Sequence, residues 1–435
     1  MISLPLDGRS QMPEMNEMKP NEDRIALRCV ACDMIQEEIP SYQCCACGGD
    51  LEVIYDYDAV AKQWQGRLPV RGRQTIGLSR FTDLLPHVLG PEHSLGEGET
   101  PLVKSRVIGP SLGLPNLYFK CEYLNPTGSF KDRQITVALA SALAYQQEGV
   151  IISSSGNAAA ALATYAARAG LKALVFVPKD TPPPKLSQIA QHGARIVAII
   201  DASVDAEHYL KRATIVKDLA QRYGWAPMIT ARTINSFAVE GGKTISFEVA
   251  DQLGIIPDAI VLPVGGGGLL GGVYKGFNEL IKVGVASHNP RMIGVQVAGC
   301  STVAAAFQQN QRHVRGVIPQ TQINGVGAPM PLDAQWALQS IRDSEGAAVE
   351  VTDEEVLHTV RSLSETEGLF VEPAGAVSVA SLRRLVEIGH LKPDNTIVCC
   401  LTGIGFKHTA STHFYQYPQV TLEQLEQESI DLAIF

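Results

Sequence analysis

The sequence predicts an α/β protein built on parallel sheets, with a small cysteine-rich ribbon in front of them. Three observations carry this. Short apolar runs such as "VIISSS", "KALVFVP", "DAIVLPV" and "TIVCCLTG" lack the period-two alternation of a sheet with one wet face, so both of their faces are buried. Helical patterns separate these runs, which is the order of parallel βαβ units. Five of the nine cysteines crowd into "CVACDMIQEEIPSYQCCACGG".

The 435 residues suffice for roughly two or three domains. The apolar share of 45% is that of an ordinary globular protein, and the net charge of −9 argues against gripping phosphate backbones, so no nucleic-acid partner is expected. No apolar run reaches the length of about 18 residues that a membrane span needs, so no membrane partner is expected either. Residues 1–24 lack the basic-then-apolar order of a secretory signal and read as a disordered lead-in. A cytoplasmic enzyme is the expectation.

Residues 25–56 read as a zinc-ribbon-like segment. Cys29-x-x-Cys32 and Cys44-x-x-Cys47 are two knuckles, each able to aim two thiolates at one ion, and tetrahedral zinc suits them. Iron in the same pocket, or knuckles without metal, are the alternatives. Gly48 and Gly49 relieve crowding behind the second knuckle, and Cys45 is left over. Cys121, Cys300, Cys399 and Cys400 are scattered or sit in apolar runs and are expected in the core. "LEVIYDYDAV" reads as a strand running into a turn, and residues 57–100 as a linker or helical arm.

Residues 101–435 read as one catalytic body. "NLYFKCEY" is a strand, and "SFKDRQITVALASALAYQQEG" a long helix stopped by Gly149. After "VIISSS" comes the alanine-rich helix "NAAAALATYAARAG", ending at Gly170. "KALVFVP", "PPKLSQIAQHG" and "ARIVAII" continue the alternation, as do "DAIVLPV", "GGLLGGVYKGFNELI" and "RMIGVQV".

In such sheets ligands bind where strand ends lead into helix N-termini. Four stretches stand there. "NPTGSFK" puts Lys131 in the first turn of a helix that Thr127 or Ser129 can cap. The positive end of a helix dipole disfavours an ammonium and favours the neutral amine that makes Schiff bases. "SSSGNAAA" offers the hydroxyls of Ser154 and Ser155, Gly156 and backbone N–H groups to a carboxylate, and the Asn157 amide to a ring oxygen. "VLPVGGGGLLGG" lets the backbone of Gly265 to Gly268 wrap a phosphate. Gly266, Gly268 and Gly271 also spell the dinucleotide pattern, but no acid occurs between Glu279 and Asp333 to hold a ribose, so a single phosphate fits better. In "CCLTGIGFK", Thr402 presents a hydroxyl at the sheet edge before Gly403 and Gly405.

An aldehyde, a ring oxygen, one phosphate and a ring nitrogen match these four stretches, and pyridoxal 5′-phosphate (PLP) carries all of them. "SLGEGETPLV", "NPTGSFKDR", "SSSGN", "EGGKT", "EPAGA" and "LTGIGFK" resemble the fold-type II PLP enzymes. The segment "LRCVAC…YQCCACGGDLEVIYDY" resembles the N-terminus of threonine synthases. The resemblance implies two three-layer α/β/α domains of the tryptophan synthase β-like kind, the smaller (about residues 130–230) inserted in the larger. It also implies a homodimer and a small amino-acid substrate. It implies that Lys131 carries the cofactor and later shuttles protons. Asn157 meets the ring oxygen, Gly265, Gly266, Gly267, Gly268 and Leu269 hold the phosphate, and Thr402 meets the ring nitrogen. Ser154, Ser155, Gly156 and Asn157 take the substrate carboxylate.

The chain also departs from the synthase pattern. In "RTINSFAVEGGKT", Ala238 stands where synthases have arginine, and Arg232 where they have asparagine. "GGGGLL" replaces an asparagine-bearing loop and resembles serine and threonine dehydratases; Ala158 replaces a threonine. The missing groups are those that would hold the substrate's own phosphate, so O-phosphohomoserine is expected to be a poor substrate unless Arg232 or Lys243 compensates. The expected function is threonine synthase-like: O-phosphohomoserine and water to threonine and phosphate. The alternatives are a serine/threonine dehydratase or a cysteate synthase-like β-replacing enzyme. A non-catalytic zinc-ribbon binding protein is the alternative of another class.

Overall fold

The computed structural model describes residues 25–36, 41–72, 75–181, 183–200 and 205–407. The expected lead-in and the last residues of the body, 408–435, lie outside the described residues. The chain begins with a three-stranded antiparallel sheet of β1 (Ile25–Cys29), β2 (Ile35–Gln36) and β3 (Leu51–Tyr55), in the order β2-β1-β3. Around it the Sγ atoms of Cys29, Cys32, Cys44 and Cys47 all lie within 4.8 Å of one another. The separations Cys29–Cys47, Cys32–Cys44 and Cys32–Cys47 are 3.5, 3.7 and 3.5 Å. A tetrahedral zinc–thiolate site has an edge of about 3.8 Å, so the four thiols stand at metal-site spacing. Gly49 is part of the reason: a Cβ there would lie 3.1 Å from the sulfurs of both Cys29 and Cys47. After β3 the chain enters helix α1 (Tyr57–Trp64), at the start of the expected linker or helical arm; Asp56 caps it by accepting from Ala59 N at 2.9 Å.

The body follows in βα alternation. Its elements are β4 (Leu102–Lys104), α2 (Ile108–Ser111), β5 (Leu117–Lys120), α3 (Lys131–Ala144), β6 (Gly149–Ser153), α4 (Asn157–Ala169), β7 (Lys172–Pro178), α5 (Pro183–Gln191), β8 (Arg195–Ile199), α6 (Ala206–Tyr223) and β9 (Ala226–Pro227). Then come α7 (Ser236–Leu253), β10 (Ala259–Pro263), α8 (Gly268–Lys282), β11 (Arg291–Val297), α9 (Val303–Gln308), α10 (Ala334–Asp343), β12 (Ala347–Val351), α11 (Asp353–Ser362), α12 (Pro373–Ala380), α13 (Leu382–Glu387) and β13 (Ile397–Cys400). The larger sheet has the order β12-β11-β10-β13-β5-β4, the smaller β8-β7-β6-β9. The smaller is wholly parallel, as expected. The larger is mixed, because β4 pairs antiparallel with β5 at its edge.

Burial on both faces explains the missing alternation. In β10, Ile260 and Leu262 join one apolar core while Ala259 and Val261 join another on the opposite face. Val150 and Ile152 of β6 likewise part company with Ile151. Cys121, Cys300, Cys399 and Cys400 are all buried in the core. One boundary differs from expectation. Helix α3 ends at Ala144, and Gly149 starts β6 rather than stopping the helix. That glycine serves packing: a Cβ would lie 2.3 Å from the Trp225 indole.

Two buried ionic networks lock the helices. Arg133 in α3 pairs with Glu122 at 2.7 Å and with Glu248 of α7 at 2.5 Å, and Lys120 of β5 reaches Glu248 at 2.6 Å. Lys243 of α7 pairs with Glu240 and with Glu279 of α8 at 2.5 and 2.7 Å; Lys275 joins the same two carboxylates. Tyr55 of β3 donates to Glu240 at 2.7 Å, which ties the ribbon to the body. Close approach of α3 and α7 depends on Gly241, where a Cβ would lie 1.8 Å from the Arg133 carbonyl oxygen. Replacing Gly241 by alanine forces two backbones apart. Denaturant unfolding of Gly241→Ala is expected to show a loss of about 1–3 kcal/mol or more; unchanged stability would mean that the helices part without cost.

Candidate active site

Lys131 is the first residue of α3, reached through a loop in which Gly128 adopts φ +83°. A Cβ at Gly128 would lie 2.6 Å from Ile404, so the loop packs directly on the segment after β13. Neither expected cap forms. The Thr127 hydroxyl bonds instead to the Asp132 carboxylate, and Ser129 sits in a backbone bridge to Gly403. Burial raises Asp132 to about 7, against the pull of the Thr127 hydrogen bonds. Lys131 Nζ donates to Gln134 Oε1 at 2.9 Å and to Thr230 Oγ1 at 2.6 Å, both neutral. Burial lowers Lys131 to about 7, opposed by the charge of Asp333. The amine is thus poised as expected, but burial supplies the shift that was expected of the helix dipole.

Strand β6 ends at Ser153 and α4 begins at Asn157, with Gly156 at the cap and no side-chain cap bond. The first N–H groups of α4 therefore have no side chain covering them. Ser154, Gly156 and Asn157 line the central cavity; Ser155 does not. Asn157 Nδ2 donates to Glu372 Oε1 at 2.7 Å, while Asn157 Oδ1 accepts from Lys407 Nζ at 2.9 Å.

Strand β10 delivers the glycine loop. Gly267 has φ +92°, and a Cβ on it would lie 2.6 Å from the Asp333 carbonyl oxygen. A Cβ on Gly265 would lie 2.5 Å from the Gly325 oxygen, whereas one on Gly266 meets nothing. The loop is pressed against a wall and open on the other side, the shape of an anion cradle ahead of a helix N-terminus. The Asp333 carboxylate accepts from Arg232 N at 2.8 Å and Thr233 N at 3.3 Å, and burial raises it to about 6. Thr402, buried at the end of β13, completes the circle; its carbonyl accepts from Phe130 N at 3.1 Å.

These segments enclose a cavity of about 310 Å³. Lys131, Ser154, Gly156, Asn157, Gly265 to Gly268, Leu269 and Thr402 all line it. The two expected phosphate substitutes do not. Arg232 stacks its guanidinium 4.3 Å over the Trp336 ring, and Lys243 is spent in its buried ion pairs. Among the residues that line the cavity, Lys131 is the one cation. Sequence reasoning missed Tyr209, Thr230, Gly325 to Ala328 and Glu372 in the lining, and Lys407 behind Asn157. Glu372 and Lys407 lie inside "EPAGA" and "LTGIGFK", so motif membership was their available signal; Tyr209 carries none.

Residues 93–403 match the family described as pyridoxal-phosphate dependent enzyme. The threonine synthase of Methanosarcina acetivorans is 35% identical, covering 93% of this chain and 95% of that protein. That of Methanocaldococcus jannaschii is 37% identical over 87% of this chain and 92% of its own. Among solved structures, maize serine racemase overlays with a TM-score of 0.59 at 24% identity, covering 76% of this chain and 91% of that one. The threonine deaminase of T.th. does so with 0.57 at 28% identity, covering 70% and 92%.

In the cofactor-free chain the Lys131 amine should lose its proton at about pH 7. Below that pH the ammonium does not react with an amine-selective reagent; above it the neutral amine does. Labelling of the Lys131 peptide is expected to pass half-maximum near that pH. A midpoint at about 10.4, the value of a free lysine, would contradict the role given to burial.

Proposed function

The chain belongs to the pyridoxal-phosphate dependent enzyme family and is a threonine synthase-like lyase, and we propose that it converts O-phosphohomoserine and water to threonine and phosphate. The observation that carries the reading is the enclosed Lys131 amine, held near neutrality opposite a side-chain-free glycine cradle. The residues present fit PLP. Gly265 to Gly268 and Leu269, at the N-terminus of α8, would hold its phosphate through backbone N–H groups. Lys131 would take its aldehyde, the Asn157 amide its ring oxygen, and the Thr402 hydroxyl its ring nitrogen. Bound there, the cofactor supplies an electron sink for charge that develops at the substrate Cα. Lys131 Nζ, neutral above about pH 7, takes the proton from that carbon. Ser154, Gly156 and Asn157, with the N–H groups that open α4, orient the substrate carboxylate.

One observation favours a second reading, a dehydratase or a β-replacing enzyme. The cavity lining carries no arginine and no lysine besides Lys131, so a substrate phosphate finds no fixed cation there. Steady-state rates on O-phosphohomoserine, O-phosphoserine, serine and threonine separate the two. Threonine and phosphate release from the first compound is expected to lead, and Lys131→Ala to lower it by at least about 10³-fold. Ammonia release from serine or threonine as the fastest reaction would transfer the conclusion to the second reading.

We also propose one structural zinc on Cys29, Cys32, Cys44 and Cys47, supported by their near-tetrahedral spacing. Tyr42, between the knuckles, donates to Gln147 at 3.2 Å and meets Phe237 edge-on, so the metal would brace a loop seated on α7 and on the turn after α3. On the same reading the chain is a cytoplasmic homodimer; among the described residues no helix is long and apolar enough to cross a membrane. Elemental analysis should find one zinc per chain, lost in Cys44→Ser and kept in Cys45→Ser. Metal-free protein that is folded and fully active would show the thiols to be unmetallated knuckles.

A further inference from the structure

Asn157 stands between two charges of opposite sign. Lys407 Nζ donates to its Oδ1 at 2.9 Å, and Glu372 Oε1 accepts from its Nδ2 at 2.7 Å. A primary amide has one acceptor end and one end with two donors, of nearly equal shape, so packing alone does not choose between its two orientations. Charge does. A flipped Asn157 would turn its N–H groups toward an ammonium and its oxygen toward a carboxylate, exchanging two attractive contacts for two repulsive ones. Because Nδ2 carries two hydrogens, one engages Glu372 and the other remains for the cavity.

We propose that Lys407 is a positioning residue, acting with Glu372, that locks the Asn157 amide with an N–H toward the cavity. It thereby makes the site selective for a cofactor oxygen that bears negative charge. The inference rests on the reading that PLP occupies the cavity with its ring oxygen at Asn157. Lys407 is itself held in place. A Cβ at Gly128 would come within 3.3 Å of its Cε, so the side chain runs along the loop that precedes Lys131. Burial lowers its pKa, and the charges of Glu372 and Asp132 oppose that shift. The short stretch after β13 therefore serves the site twice, with Thr402 in the lining and Lys407 behind it.

The test compares full-length wild type, Lys407→Met, Lys407→Arg, Asn157→Ala and the double variant Asn157→Ala/Lys407→Met. Each is titrated with PLP by absorbance and fluorescence and scored for the shape of the visible band of the lysine-linked cofactor. Lys407→Met is expected to weaken PLP binding by about tenfold and to shift the band, the effect of one charge-supported hydrogen bond. Lys407→Arg should restore most of both. In the Asn157→Ala background, Lys407→Met should change nothing further, because its effect passes through the amide. Should Lys407→Met fail to fold, Lys407→Gln is read by the same criteria. Wild-type binding with unaltered variants, or an equal loss in both backgrounds, overturns this inference alone. A wild type that takes up no PLP overturns the reading beneath it as well.

Discussion

A guanidinium that never meets water sets the geometry of the site. Arg133 is fully buried, and its five N–H donors are distributed over Glu122, Glu248, Thr100 and Thr244. Taking such a charge out of water costs several kcal/mol, so the arrangement stands only because two carboxylates meet it in hydrogen-bonding geometry. Those carboxylates come from the turn after β5 and from α7, so one side chain fixes three elements at once. Two residues away, Lys131 stands in different company. Lys131 Nζ bonds only a carboxamide and a hydroxyl among the described residues. Its ammonium has burial to bear and little negative charge in compensation, which is why its proton is loosely held.

The second network ties the ribbon to the body. Tyr55 of β3 and Tyr57 at the start of α1 donate to Glu240 and Glu279, the carboxylates that pair with Lys243 and Lys275. The ribbon therefore sits on the shared face of α7 and α8, and α8 begins at the glycine loop. The close approach of these two helices is made by Gly272 and Gly276; a Cβ on the latter would lie 2.5 Å from the Lys243 carbonyl oxygen.

Features that a local backbone requirement imposes were legible in the sequence. The glycines before α8, the glycine that ends α4, the paired cysteines and the position of Lys131 at a helix start each mark a short stretch whose neighbours signal its placement. Features that depend on contacts across the fold were not. Asn157 and Lys407 are 250 residues apart, and Asn157 and Glu372 are 215 apart, so nothing near Asn157 announces its partners. Lys243 shows the converse error. Its motif placed it near the site, but Glu279 on the next helix holds it in the core. Arg232, the other candidate compensator, is engaged in the same way, by the Trp336 ring on α10. The shift on Lys131 was foreseen in direction but not in cause, because enclosure is a property of the assembled cavity.

Gly267 bears on how this loop can change over generations. Its φ of +92° lies in the region that side-chain-bearing residues avoid, and the space its Cβ would need is held by the backbone oxygen of Asp333. A side chain such as the asparagine of the synthase-type loop is therefore opposed here by the main chain. The segment carrying Asp333, whose N–H also bonds to the Gly266 oxygen, has to retreat first. Substitution at position 267 is thereby coupled to a main-chain shift on the far side of the loop, so the two changes have to come together whatever substrate the site serves.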